Sequence, residues 1–134
     1  VNTRARLVPL SRFDDQRGQL IVGEFDAQLP FVPQRFFALA GMTPDTVRGR
    51  HAHRRCEQVV VVLRGSCRIE LLDAGGRDVV VIDSPSEALY IPAMIWADVL
   101  AFAPGSIVLV LASDPYDEGD YVRSLNEFRE LIGA

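Results

Sequence analysis

The sequence predicts an all-β protein, a sandwich or barrel carrying a single C-terminal helix. Three observations support this. Short apolar runs bounded by turn residues recur every eight to twelve positions. No strand–helix alternation appears, which argues against a parallel α/β sheet. The one stretch with helical spacing lies at the end, where Leu125, Phe128, Leu131 and Ile132 share a face.

The elements follow in order. Leu7, Val8 and Leu10 mark a first strand within residues 1–12. Asp14-Asp15-Gln16-Arg17-Gly18 has turn composition, and residues 19–25 read as a strand. Pro30 and Pro33 interrupt before a strand from Arg35 to Ala40, and residues 41–47 form a loop. Arg48 to His53 is extended. Glu57 to Leu63, with four successive valines, reads as a strongly β-branched strand. Arg64-Gly65-Ser66 turns the chain into residues 67–72, and Asp73-Ala74-Gly75-Gly76-Arg77 makes a hairpin turn. Strands follow at 78–82, 88–91, 96–102 and 106–112. Tyr116 to Tyr121 reads as an ordered lead-in to the last helix, which Ser124 and Glu127 begin as a capping box.

Length and composition narrow the function. The 134 residues fit one domain, 1–134, and a hydrophobic fraction of 49% fills a core. The net charge of −4 excludes a general nucleic-acid binder, which needs a basic surface. All fourteen basic side chains are arginine, the residue that grips phosphate with a planar fork. Cys56 and Cys67 are expected to be buried free thiols. No apolar run is long enough to span a bilayer and no signal-peptide core is visible, so a soluble cytoplasmic protein is expected.

Both histidines stand two residues apart in Arg48-Gly49-Arg50-His51-Ala52-His53. On a strand, alternate side chains share a face, so the two rings project together. Each imidazole has two nitrogens to satisfy, and the pair suits proton transfer or metal binding near neutral pH. Glu57 is placed to return to the same region on the next strand.

Gly49-x-His51-x-His53-x-x-x-Glu57, followed by Gly65, resembles the first motif of the cupins, double-sheet jelly rolls with a site in the barrel mouth. Their second motif is matched at Pro92, but Met94 replaces its glycine and Ala97 its metal-ligating histidine. His51, His53 and Glu57 alone would leave a metal with open positions, and no metal is expected. A narrower resemblance spans nearly the whole chain. Arg17-Gly18, Arg35, the His51-Ala52-His53 run, Glu57-Gln58-Val59, Gly65-Ser66-Cys67-Arg68 and Leu111-Ala112-Ser113-Asp114 through Tyr116-Asp117-Glu118 and Asp120-Tyr121 are similar to the sugar-nucleotide 3,4-ketoisomerases.

That resemblance implies a cupin double-stranded β-helix with one C-terminal helix. It also implies a cofactor-free isomerase moving a keto group between C4 and C3 of a dTDP-linked 4-keto-6-deoxy sugar. His51 and His53 are implied as the catalytic pair, one carrying the proton through an enediolate. Arg17, Arg35, Arg48, Arg50, Glu57 and Phe37 are the expected substrate contacts, and a homodimer with an exchanged N-terminal strand is implied. The chain departs from the family where Phe37-Ala38 and Ala97 stand in place of polar site residues. The alternative is therefore a sugar-nucleotide-binding cupin that is non-catalytic or of altered specificity.

Overall fold

In the computed structural model, which describes residues 2–133, the apolar runs become twelve strands. They are β1 (Arg6–Pro9), β2 (Ser11–Asp15), β3 (Gly18–Val22), β4 (Arg35–Leu39), β5 (Arg48–His53) and β6 (Gln58–Arg64). β7 (Cys67–Asp73), β8 (Gly76–Ile82), β9 (Glu87–Ile91), β10 (Trp96–Leu100), β11 (Ile107–Ala112) and β12 (Tyr121–Val122) complete the set. A 3-10 turn at Glu118–Asp120 precedes β12, and α1 (Leu125–Ile132) follows it. Two antiparallel five-stranded sheets, ordered β1-β9-β6-β11-β4 and β12-β5-β10-β7-β8, pack face to face as a jelly roll.

Pairing within each sheet explains the sequence pattern. Val59 to Val62 are all buried because β6 is central in its sheet and covered on both faces, which replaces alternation by a continuous apolar run. Val60 and Val62 face the inner core with Ile69, Leu71, Ile82, Leu89 and Val108. Val59 and Val61 face outward, under Leu29 and Phe31. Around the other sheet, α1 lays Phe128 against Ala52, Leu72, Trp96 and Val122. Phe128 is fully buried and its ring centroid lies 5.8 Å from that of Trp96. Truncating Phe128 to Ala would cost roughly 3–5 kcal/mol. Ser124 caps the helix by accepting from Glu127 N at 3.2 Å, one half of the expected capping box, while the Glu127 carboxylate accepts from Arg54 at 3.0 Å.

The N-terminal region differs from the expected single strand. β1 ends at Pro9, which has no N–H for the ladder. Leu10 N instead donates to Ser86 O at 2.8 Å, and the chain leaves the sheet. β2 and β3 then form a separate hairpin that pairs with no other strand among the described residues. Phe13 and Leu20 on this arm are 60% and 61% exposed. Among the described residues, no helix is long and apolar enough to cross a membrane.

Candidate active site

β5 and the segment leading into β12 build the site. Ala52 points outward beneath the helix, so His51 and His53 point inward together, their ring centroids 4.9 Å apart and nearly perpendicular. Just before them the strand is bent. Opposite β10, His51 pairs with Ala97 and Gly49 with Asp98, so Arg50 is bulged out. Gly49 (φ 82°) and Arg50 (φ 57°) both take left-handed backbone. A Cβ on Gly49 would lie 2.6 Å from the Ala97 carbonyl oxygen, so glycine is the residue that fits this approach.

Both rings are held by their Nδ1 atoms. Nδ1 of His51 lies 2.8 Å from the Gly49 carbonyl oxygen, and Nδ1 of His53 lies 3.0 Å from Oδ2 of Asp120. Each partner oxygen only accepts, so Nδ1 carries the hydrogen and Nε2 keeps a free lone pair. Asp120 is buried and also accepts from the backbone N–H groups of Arg55 (2.7 Å) and Cys56 (3.2 Å). Burial pushes its pKa upward, but the hydrogen bonds from Arg55, His53 and Cys56 prevail and hold it below the ordinary carboxylate value. Burial likewise lowers His51, with the Arg123 and Arg35 charges adding to the effect. It takes His53 down to about 4, reinforced by His51 and only partly opposed by Asp120. At neutral pH the site therefore holds two neutral imidazoles and one ionised carboxylate.

The two histidines are not equivalent. His51 lines a cavity of about 510 Å³ between the sheets. His53 lies behind it, 5% exposed, with a buried Nε2 that has no hydrogen-bond partner. Tyr121 packs on both, at 5.0 Å from His51 and 4.5 Å from His53 between centroids. The cavity carries its polar groups on Arg35, Arg48, His51, Gln58, Tyr121 and Arg123, while Val60, Ile91, Val99, Val108 and Val110 give it an apolar lining. Arg35 reaches Tyr121 Oη at 3.4 Å and lies over the rings of Phe37 and Tyr116 at 5.8 and 5.7 Å.

The structure thus gathers His51, Arg35, Arg48 and Phe37 on the cavity, with His53 behind them. It does not bring Glu57, Arg50 or Arg17 there. Glu57 lies outside β6, and Gln58, the next residue, takes the inward position. The Glu57 carboxylate instead accepts from the Tyr90 hydroxyl, against the outer apolar cluster. His51, His53 and Glu57 therefore do not converge as a metal ligand set. His53, Cys56 and Asp120 do offer ligand atoms within 4.8 Å of one another, but the Asp120 carboxylate is already occupied by three donors. Arg50 is exposed in the bulge, and Arg17 sits at the hairpin tip, bonded to Asp15 at 2.6 Å.

Asp120, Tyr121 and Arg123 escaped the reading of residues as a site. The segment expected to be a lead-in to the helix forms one wall of the cavity. The available signal was the acidic and aromatic motif ending in Asp120-Tyr121, which gives no hint of the strand it pairs with. Ala97 faces the cavity directly opposite His51, and Phe37 lines it without a hydroxyl, so both departures from the family pattern lie in the site itself. Trp96 is packed under α1 and is no part of the cavity.

An inward-facing imidazole in the mouth of a two-sheet antiparallel roll, ringed by arginines and backed by a His–Asp pair, defines an enzyme of the cupin class. The sequence profile of the WxcM-like, C-terminal family (FdtA) matches residues 3–133, and the chain belongs to that family. It is an isomerase. The TDP-4-oxo-6-deoxy-alpha-D-glucose-3,4-oxoisomerase of Aneurinibacillus thermoaerophilus is 35% identical over 127 residues, covering 95% of this chain and 91% of that one. Among solved structures, a 3,4-ketoisomerase from Helicobacter canadensis superposes with a TM-score of 0.93 at 33% identity, covering 98% of both chains. QdtA, a sugar 3,4-ketoisomerase from Thermoanaerobacterium thermosaccharolyticum solved with TDP, does so with a TM-score of 0.92 at 30% identity, covering 96% of this chain and 94% of that one.

Proposed function

We propose that the protein moves the keto group between C4 and C3 of a TDP-linked 4-keto-6-deoxy sugar, with His51 as the proton carrier. The observation that carries this reading is the inequivalence of the two rings. Only His51 lines the cavity, and its Nδ1–H bond to Gly49 leaves Nε2 as the base. Nε2 takes the proton from C3, and the released electron pair forms the C3–C4 double bond as the C4 oxygen becomes an oxyanion. The C3 hydroxyl proton passes to the C4 oxygen, C3 becomes the ketone, and the proton held on Nε2 is delivered to C4 to complete the exchange. Tyr121 and Arg35 offer donors for the oxyanion from the adjacent wall, and the cationic groups of Arg35, Arg48 and Arg123 suit a diphosphate. The apolar lining suits a deoxy sugar. His53, held by Asp120, positions the His51 ring.

The test is incubation with TDP-4-keto-6-deoxyglucose in deuterated buffer. The 3-keto product with carbon-bound label is expected, and neither exchange nor product would remove the proposal. Ala97 and Phe37 favour a second reading, binding without turnover. It predicts calorimetric binding of the same sugar nucleotide with no label incorporated.

We also infer a homodimer in the cytoplasm. The hairpin arm exposes Phe13 and Leu20, and the outer face of the first sheet exposes Phe36 and Leu63. An arm laid on a second copy would cover both and would carry Arg17 toward the partner. Free Cys56 and Cys67 suit a reducing compartment. Light scattering giving a monomer mass would refute the dimer.

A further inference from the structure

One side chain outside the cavity is tied to the site by three separate contacts. Glu118, in the 3-10 turn, grips the Arg123 guanidinium with both carboxylate oxygens, at 2.7 and 2.9 Å. It also accepts from the Tyr116 hydroxyl. Arg123 lies over Tyr121, its guanidinium carbon 4.2 Å from the ring centroid, and Tyr121 in turn packs on both imidazoles. Tyr116 closes the cluster, 5.6 Å from Tyr121 between centroids. A charged fork, a stacked ring and the imidazole of His51 thus form one continuous column, with Glu118 at its outer end.

We propose that Glu118 is a positioning residue for proton transfer at His51: it holds Arg123 over Tyr121 and offsets part of the positive field that Arg123 imposes on the imidazole. The inference rests on the reading that His51 carries the proton. Its physical content is electrostatic as well as steric. A bidentate carboxylate–guanidinium pair fixes orientation, which a lone arginine on an exposed loop would lack. An uncompensated cation beside a neutral imidazole disfavours its protonation and weakens it as a base. The charged and titratable groups around His51 are His53 and Arg48 on β5, Tyr121 on β12, Arg35 on β4, Asp98 on β10, and the Arg123–Glu118 pair. Glu118 itself is held down to about 2 by Arg123 first and Tyr116 second, so the pair stays charged throughout the working range.

The experiment is an imidazole NMR titration of the ligand-free protein, followed by kinetics across pH, for the wild type, Glu118→Gln and the double variant Glu118→Gln/Arg123→Gln. In Glu118→Gln the His51 midpoint should fall, and kcat should drop roughly fivefold with KM not raised. The double variant, with both charges gone, should return the His51 midpoint toward that of the wild type. A purely structural role would make the double variant worse than the single one. An unmoved His51 midpoint in Glu118→Gln, a double variant displaced as far as the single one, or a raised KM at unchanged kcat would overturn the proposal. The titrations need no substrate. Loss of the isomerase reading alone would therefore appear as inactive wild type with the His51 shifts intact.

Discussion

Oδ2 of Asp120 lies 3.0 Å from Nδ1 of His53, and the two residues are 67 positions apart in the chain. The carboxylate fixes the tautomer of a ring that touches the cavity only through its neighbour. Asp120→Asn keeps the shape but removes the charge and sets an amide against two backbone N–H donors. Stability should fall by about 2 kcal/mol, the cost of a charged hydrogen bond lost inside the protein. Turnover should fall roughly 10- to 100-fold, because a loosened His53 no longer positions the His51 ring. Urea denaturation and steady-state kinetics on the same preparation check both.

The tautomers themselves are measurable. The chain contains two histidines, so a long-range nitrogen–proton correlation spectrum shows two ring systems, and a His51→Asn variant assigns them. Both rings should appear as the Nδ1–H form at pH 7.5. An Nε2–H form for His51 would contradict the proposed base.

Burial of His53 makes stability depend on pH. The folded ring titrates near 4, against 6.5 when unperturbed, so the unfolded chain binds more protons between those values. Stability from this group is complete above about pH 6.5 and is lost progressively as pH falls toward 4. The full loss is roughly 3 kcal/mol. Denaturation curves at pH 7.5 and 5.0 should show part of it, and a His53→Gln variant should flatten the difference. His51 is lowered by the same cause, so the acid limb of kcat/KM should lie below pH 6.5.

Gly49→Ala should be costly although it adds a single methyl group. The new Cβ would meet the Ala97 carbonyl at 2.6 Å, on backbone that disfavours side chains. A loss of about 2 kcal/mol or more is expected from strain of this kind. The carbonyl that holds His51 would shift with it. Thermal unfolding and the His51 tautomer signal should change together, whereas Gly41→Ala, also at positive φ but with open space around it, should leave the tautomer signal unchanged.

Much of this architecture was legible beforehand. Valines at 59–62 announce a central strand, because a run without polar breaks needs cover on both faces. Ser124, Glu127 and Phe128 announce the helix through local capping and spacing. The strand at 19–25 is legible, whereas its hairpin partner β2 falls across the expected first strand and turn, since nothing local says that Leu10 turns to Ser86. Glu57 was read as facing the histidines, but the strand begins one residue later and reverses its face.

What the sequence determined by itself was whatever depends on near neighbours. Period-two alternation put His51 and His53 on one side of a strand, and the motif around them pointed to a cupin. Tertiary structure alone decided that one ring faces the cavity while the other is sealed behind it on Asp120, and that Tyr121 and Arg123 complete the wall. The physical reason is that β5 and β12 meet through an antiparallel pairing of His53 with Tyr121. Side chains far apart in sequence acquire their roles only when such a pairing closes.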